Sequence, residues 1–467
     1  MRRFFGHLCL LLSAVLLFAS CIDDDKIEVT LYDDIAITAF GISSAKIYKH
    51  TTSSTGADSV YSEMDATVKN YPFHIDHLRG EIYNTDSLPV GIDASKAFCT
   101  YSTKNSGLAY IENFTGDSVS ILSTADTVDF SGPRYVTVYA MDNSSSRRYK
   151  ITVNVHQENS GEFHWNRMAD FADMAALSGM KAVTAGGRLI VFGTDGNSTK
   201  IYTTGITDGN IWTTENTVLG CEAWRNVALT GDKLYVLDGN VLHVSADGGR
   251  SFSRIGECDG ISRLIGGSTT ALYAIGTHGR IMFSTDGGQT WEADTMADDM
   301  AWMPSEDINF CRTTFRFTPD ADYLLLTGNR SATEHPDDTH AVVWRKISEY
   351  APDSKPGQWI YMNMDDTDKY PLPQLENITV MGYGNSLLAL GGKSKGTGEE
   401  ETLENVYESR DGGITWKRSD NYHIPYNLRL NVTTFAATTD ADNNIWIVCG
   451  GTGQVWRGRL NSMGWSK

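Results

Sequence analysis

Ser245-Ala246-Asp247-Gly248-Gly249-Arg250-Ser251-Phe252 has two counterparts further along the chain that superpose on it without gaps. They are Ser284-Thr285-Asp286-Gly287-Gly288-Gln289-Thr290-Trp291 and Ser409-Arg410-Asp411-Gly412-Gly413-Ile414-Thr415-Trp416. All three fit Ser-x-Asp-x-Gly-x-[Ser/Thr]-[Trp/Phe]. Ser245, Asp247, Gly249 and Phe252 are therefore matched by Ser284, Asp286, Gly288 and Trp291, and by Ser409, Asp411, Gly413 and Trp416. The pattern reads as a tight hairpin. A short Asp side chain accepts hydrogen bonds from nearby backbone amides, and glycine permits positive φ. These twelve residues are assigned a structural role, not a catalytic one.

The surrounding sequence is all-β. Gly numbers 44 and Pro 11, and short runs rich in Val, Ile, Thr, Tyr and Trp alternate with Asp-Gly, Asn-Gly and Gly-Asp turns. That is the pattern of sandwiches, barrels or propellers. The octapeptide resembles the Asp-box (BNR repeat) of sialidase-like β-propellers. There it joins the third and fourth strands of a blade, and its aromatic residue packs between adjacent blades. The resemblance makes residues 163–467 an Asp-box propeller. Ser245 to Ser284 spans 39 residues, one blade, and Ser284 to Ser409 spans 125, about three. Aromatic starts of outer strands fall at Trp212, Phe252, Trp291, Trp359, Trp416 and Trp465. Hydrophobic second strands fall at 188–192, 233–237, 271–275, 323–326, 386–390 and 445–448. The reading is six blades, with Trp165 closing the ring against the last one; seven blades is the alternative. Residues 169–180 read as a short helical turn.

Residues 35–157 read as an immunoglobulin-like sandwich. Ile35–Phe40, Phe73–Asp76, Glu81–Asn84, Tyr135–Ala140 and Tyr149–Val155 have strand patterning, the middle two as inner strands and the last two as a terminal hairpin. Residues 51–64 are Ser/Thr-rich and read as a loop. Gln157 to Glu162 is a polar linker.

The N-terminus reads as an export signal. Arg2 and Arg3 precede an apolar run, Leu8 to Phe18, too short for a permanent membrane helix. Residues 1–20 are expected to be removed, leaving Cys21 as a lipidated N-terminus on a tether, 21–34. The acidic run Asp23-Asp24-Asp25 after Cys21 resembles the signal that sends lipoproteins to the outer face of a Gram-negative outer membrane. Loss of Arg2 and Arg3 takes the net charge from −19 to −21, which argues against a nucleic-acid partner. Besides Cys9, lost with the signal, and Cys21, there are Cys99, Cys221, Cys258, Cys311 and Cys449. No CxxC pair and an odd count argue against zinc and against a disulfide framework. These are expected to be small buried hydrophobes, and no metal or cofactor is expected.

In a propeller the inner strands line a channel, and loops from outer to next inner strand gather at one mouth. The mouth loops are 169–180, 215–224, 257–262, 295–310, 364–375 and 419–430. They carry Trp224, Trp302, Tyr370, Tyr422 and Tyr426, able to stack on sugars, to meet a protein, or to pack the loops themselves. Lys181, Arg225, Arg263 and Arg312 start four consecutive inner strands and read as an anion site, or as channel cations paired with acids. Sialidases hold the substrate carboxylate on an arginine cluster. Their Arg-Ile-Pro motif is only echoed at Phe315–Pro319, and no Tyr–Glu nucleophile pair is assigned, so no catalytic residue is named. The whole chain resembles an uncharacterised family of gut-bacterial surface lipoproteins with these two domains. Such families often sit beside glycan-acquisition systems, which implies a glycan- or protein-binding role. The expectation is a non-catalytic binding module, most of all for a glycan. The alternatives are a sialidase-like glycoside hydrolase or lyase, and a protein–protein scaffold in an outer-membrane complex.

Overall fold

The computed structural model describes residues 34–52, 58–314, 320–350, 354, 357–363, 369–395 and 399–464. Residues 1–20, expected to be an export signal, together with Cys21, Phe315–Pro319 and Trp465, lie outside the described residues. Two compact units divide between Asn159 and Ser160.

The first unit is a two-sheet sandwich. One sheet has the order Asp58–Asp65, Ile37–Thr52, Ile92–Thr103. The other has the order Phe73–Asp76, Glu81–Asn84, Ser146–Thr152, Arg134–Tyr139, Leu108–Glu112, Val119–Ile121. Strand periodicity decides what is buried: along Arg134–Tyr139, Val136 and Val138 point inward while Tyr135 and Tyr139 point out. Those valines join Ile37, Phe40, Ile42, Ile82 and Ile151 in one core. The terminal hairpin forms as expected. Glu81–Asn84 is internal, pairing in parallel with Ser146–Thr152, but Phe73–Asp76 is an edge strand. Residues 58–64 are not loop. They form a strand paired with the end of Ile37–Thr52, from Thr52↔Asp58 to Ala45↔Asp65. Ser, Thr, Val and Tyr in that stretch suit an edge strand as well as a loop.

The second unit is a six-bladed propeller. Blade one runs Gly179–Ala185, Arg188–Thr194, Ser198–Gly205, Thr213–Thr214. Blade two is Val227–Thr230, Lys233–Asp238, Val241–Ser245, Ser253–Glu257, and blade three is Ile261–Gly267, Leu272–Gly276, Ile281–Ser284, Glu292–Ala293. Blade four is Glu306–Thr314, Ala321–Asn329, Val342–Glu349, Ile360–Tyr361, and blade five is Thr379–Tyr383, Ser386–Leu390, Tyr407–Ser409, Lys417–Arg418. Blade six takes Phe435–Thr439, Ile445–Cys449 and Val455–Leu460 from the end of the chain. Its outer strand is Phe163–Arg167, from the unit's beginning. Trp165 thus closes the ring, and the described residues form six blades, not seven. Ala172–Ala176 is the short helical turn.

The three octapeptides fold alike. Asp247 Oδ1 accepts from Ser245 Oγ (2.8 Å) and from the amides of Arg250 and Ser251 (both 3.0 Å), while Gly249 N–H donates to Ser245 Oγ at 2.9 Å. Gly248 and Gly249 have φ of 70° and 84°, and the same pair of positive angles recurs at residues 287–288 and 412–413. The hydroxyls of Ser251 and Thr290, followed by the backbone amides, hold the carboxyls of Asp247 and Asp286 far below the usual carboxylate range.

Each outer-strand aromatic packs where its own blade meets the preceding one. Phe252 joins the cluster of blades one and two, Trp291 that of two and three, Trp359 that of three and four, and Trp416 that of four and five. Trp165 serves five and six, and Trp212 serves six and one. The described cysteines are free thiols. All but Cys221 are buried, and burial pushes Cys311 and Cys449 up to about 12. Trp416, 2% exposed, tests the packing. Trp416→Ala is expected to cost about 3–5 kcal/mol, read as a lower urea midpoint at unchanged slope. A loss below about 1 kcal/mol would show that the inter-blade aromatic is dispensable.

Candidate functional site

The inner strands enclose a cavity of about 570 Å³. Its walls come from all six blades or the turns between them, because every inner strand faces the propeller axis. Lys181, Arg225, Arg263 and Arg312 all line it, as do Glu306, Asp307 and Lys395. Five cations and two carboxylates give the lining a net charge of +3, in a chain of net charge −19.

The cations differ in what they touch. Lys181 Nζ donates to the Val227 carbonyl at 2.7 Å. Burial, then the neighbouring Arg263 guanidinium, pushes its ammonium down to about 7. Arg263 Nη2 points at the Ile308 carbonyl, 3.4 Å away. Burial and Arg225 push it down to about 10, against the pull of Asp307 and Glu222. Arg225 is paired with Glu222 and lies 5.5 Å from the Trp224 ring centroid. The Nε atoms of Arg225 and Arg263 are buried without a hydrogen-bond partner. Lys181 and Arg263 thus meet backbone carbonyls rather than carboxylates, a costly state for two adjacent cations.

Arg312 does not share their position. It is the seventh residue of its strand Glu306–Thr314, whereas Lys181 and Arg263 are each the third residue of theirs. A register shift between Glu306 and Asn309 accompanies the difference. Arg312 Nη1 donates to Thr269 Oγ1 at 2.9 Å and lies 3.9 Å from buried Asp322. It is tied to the hairpin end of the channel, and Arg225 lies on the short turn Ala223–Arg225 ahead of its strand, so only Lys181 and Arg263 of the four occupy like positions.

Of the aromatic candidates, only Trp224 lines the cavity. Its ring occupies space left by Gly179, where a Cβ would come within 2.4 Å. Trp302 stacks on Tyr361 at 5.0 Å with 10° between planes and carries Arg330 at 4.2 Å from its ring. Tyr422 is buried, edge-on to Phe163 and Tyr383. Tyr426 and Tyr370 are exposed beside Arg429 and Lys417. Tyr422 is loop packing rather than ligand surface, because flanking rings already cover it; Trp302 keeps an exposed part but lies outside the cavity lining.

Sequence reasoning missed Glu306, Asp307 and Lys395. Lys395 reaches over from the loop between the second and third strands of blade five. Its Nζ lies 2.7 Å from both Glu306 Oε2 and Asp307 Oδ2. Asp307, in left-handed backbone (φ 49°), also accepts from Asn377 N at 2.7 Å and Asn329 Nδ2 at 2.9 Å. A Tyr–Glu pair does exist, Tyr407 with Glu400, joined by Arg418 Nη2 at 2.8 Å. It sits in the packing of blades four and five, away from the cavity lining. Among the described residues no cluster of three metal-ligating side chains occurs, and no helix is long and apolar enough to cross a membrane.

Fold and cavity define a six-bladed β-propeller with a cation-rich channel, preceded by a β-sandwich. The chain belongs to the DUF6242 family: the DUF6242 beta propeller domain matches residues 159–467, and the DUF6242 N-terminal domain, described as a domain of unknown function, matches 40–153. Two curated sequences of the xyloglucanase Xgh74A from Acetivibrio thermocellus are 26% identical to it over 199 residues. The match covers 40% of this chain and 22% of theirs, so it spans about a fifth of the length of those relatives. Among solved structures, YCF48 from Cyanidioschyzon merolae is similar at 14% identity and a TM-score of 0.33, over 63% of this chain and 98% of that one. The calcium structure of the Trichoderma reesei carbohydrate-active enzyme of family AA12 gives 9% identity and a TM-score of 0.34, over 64% and 95%.

The Lys181 environment has a consequence for stability. Its folded pKa of about 7 lies below the 10.5 ordinary for a lysine. Between those pH values the fold binds fewer protons than the unfolded chain, so this group makes stability rise with pH across that window. Lys181→Met is expected to stabilise the propeller by about 1–4 kcal/mol below pH 7. The gain should fade by about pH 10 in urea titrations run at both extremes. A substitution that destabilises equally at both pH values would contradict the assigned environment.

Proposed function

We propose that this protein is a surface lipoprotein whose propeller channel binds an acidic glycan without turning it over. The observation that carries the reading is the pair Lys181 and Arg263. They are neighbouring cations in a desolvated wall, with carbonyl partners and one unsatisfied guanidinium N–H. An anion between them would relieve their repulsion and satisfy that donor. Trp224 beside them offers an aromatic face to a sugar ring.

A glycoside hydrolase is the second reading, favoured by the stretch shared with the xyloglucanase. Glycosidases place two carboxylates on either side of the scissile bond. Glu306 and Asp307 are sequence neighbours held by one ammonium, which fits binding better than bond cleavage. Placement on the outer membrane through lipid on Cys21 rests on Arg2, Arg3, the apolar run 8–18 and the acidic residues after Cys21. The octapeptides support kinship with Asp-box propellers.

The test is a glycan array probed with the full-length chain in detergent, beside Arg225→Ala/Arg263→Ala with its fold checked by circular dichroism. Binding to uronic- or sialic-acid glycans should be lost in the double variant. Absence of binding to any acidic glycan would overturn the reading and favour a protein partner.

A further inference from the structure

The channel mouth has a second chemical wall. In a ring of six, blade one faces blade four and blade two faces blade five. All of the site residues line the one cavity: Lys181 on blade one, Trp224 and Arg225 on the turn before blade two, Arg263 on blade three, Glu306 and Asp307 on blade four, and Lys395 in the blade-five loop. One part of the lining is cationic and meets backbone carbonyls; the part beside it is a carboxylate pair with an ammonium already seated on it, close enough for Asp307 to act on Arg263.

The second wall is built. Asp307 is fully engaged, with both oxygens accepting from Asn377, Asn329 and Lys395. It fixes the ammonium in place and joins the two blades. Lys395 has three N–H donors, two of them spent on Glu306 and Asp307. Glu306 accepts from Lys395 through Oε2 alone, which leaves Oε1 uncommitted among the described residues. The Glu306 side chain is 43% exposed and that of Lys395 28%, so both reach solvent in the cavity. One acceptor and one donor side by side match vicinal hydroxyls, each of which can donate to the carboxylate or accept from the ammonium. A ligand ammonium is disfavoured there, since Lys395 already offsets one of the two carboxylate charges and would repel a second ammonium at close range.

We infer that the mouth takes a carboxylated sugar residue, its carboxylate between Lys181 and Arg263 and neighbouring hydroxyls on Glu306 and Lys395. This rests on the acidic-glycan reading above and adds a hydroxyl-reading subsite, so the ligand is a sugar acid and not simply an anion. Trp224, beside the cations, supplies the ring contact. A ligand that lost either feature would leave the matching donors or acceptors of the cavity without a partner, which is the usual source of discrimination.

The experiment is isothermal titration of the full-length chain with D-glucuronate, with cyclohexanecarboxylate (the charge and a ring without hydroxyls) and with D-glucose (the hydroxyls without the charge). D-glucuronate is expected to bind about tenfold or more tighter than either. Glu306→Gln, which leaves the Lys395–Asp307 pair in place, should weaken glucuronate about tenfold and leave cyclohexanecarboxylate unchanged. Lys395→Met should act in the same direction if its melting temperature is retained. Equal affinities of the wild type for glucuronate and cyclohexanecarboxylate, or equal weakening of both by Glu306→Gln, would overturn the hydroxyl subsite. In that event, loss of cyclohexanecarboxylate binding in Arg263→Ala would keep the anion site itself standing. Binding of neither carboxylate would overturn both.

Discussion

Ring closure is the constraint on which the rest of the propeller depends. Five residue pairs, from Phe163↔Leu460 to Arg167↔Trp456, tie the start of this unit to its end. Without them blade six lacks its outer strand, and Trp165 leaves the cluster shared by blades five and six. Every blade is held on two sides by an aromatic-centred cluster of one pattern, so an open ring would expose two blade faces at once. The channel and its cations are consequences of that closure, because no single blade carries more than part of the site.

The site shows why an acidic chain can hold cations close together. Many of the described arginines outside the channel have carboxylate partners, such as Arg188 with Glu215 and Arg330 with Asp338. Lys181 and Arg263 are set instead by the strand backbones that position them, and those backbones are fixed by apolar packing behind. Packing energy is thereby stored as electrostatic readiness, the usual relation between a rigid scaffold and a preorganised site.

Much of the fold was legible because propellers repeat local chemistry. The Ser-x-Asp-x-Gly turn encodes its own hydrogen bonds within eight residues, and the aromatic that follows marks each outer strand. Trp165, without such a turn, still revealed the closure through its place at the unit's start. The site was only half legible. Lys181 and Arg263 stood out because each is the third residue of its inner strand. Arg225 and Arg312 looked equivalent, but Arg225 falls on the turn before its strand and Arg312 is the seventh residue of a strand that starts earlier than spacing suggested. Lys395 comes from a loop inside blade five, and Glu306 and Asp307 resemble any surface acids until the ring brings them together. Tyr422 was misplaced for a related reason: loop position says that a ring is near the mouth, not whether it is already covered.

The closing strand also sets an order of events. Strands within the other blades follow one another within a few tens of residues and can pair as soon as they are made. Phe163–Arg167 must instead wait, as an unpaired edge, for a partner some 290 residues downstream. Loop-closure entropy grows only logarithmically with that separation, to about 5 kcal/mol, so the difficulty is one of timing rather than of energy. A chain emerging from its N-terminus would carry this strand, with Phe163 and Trp165, exposed until almost its last residues arrive. Exposed strand edges of this kind invite pairing with other chains. Chaperone protection would therefore matter most for this short segment, and truncating the last strand would harm the whole ring rather than one blade.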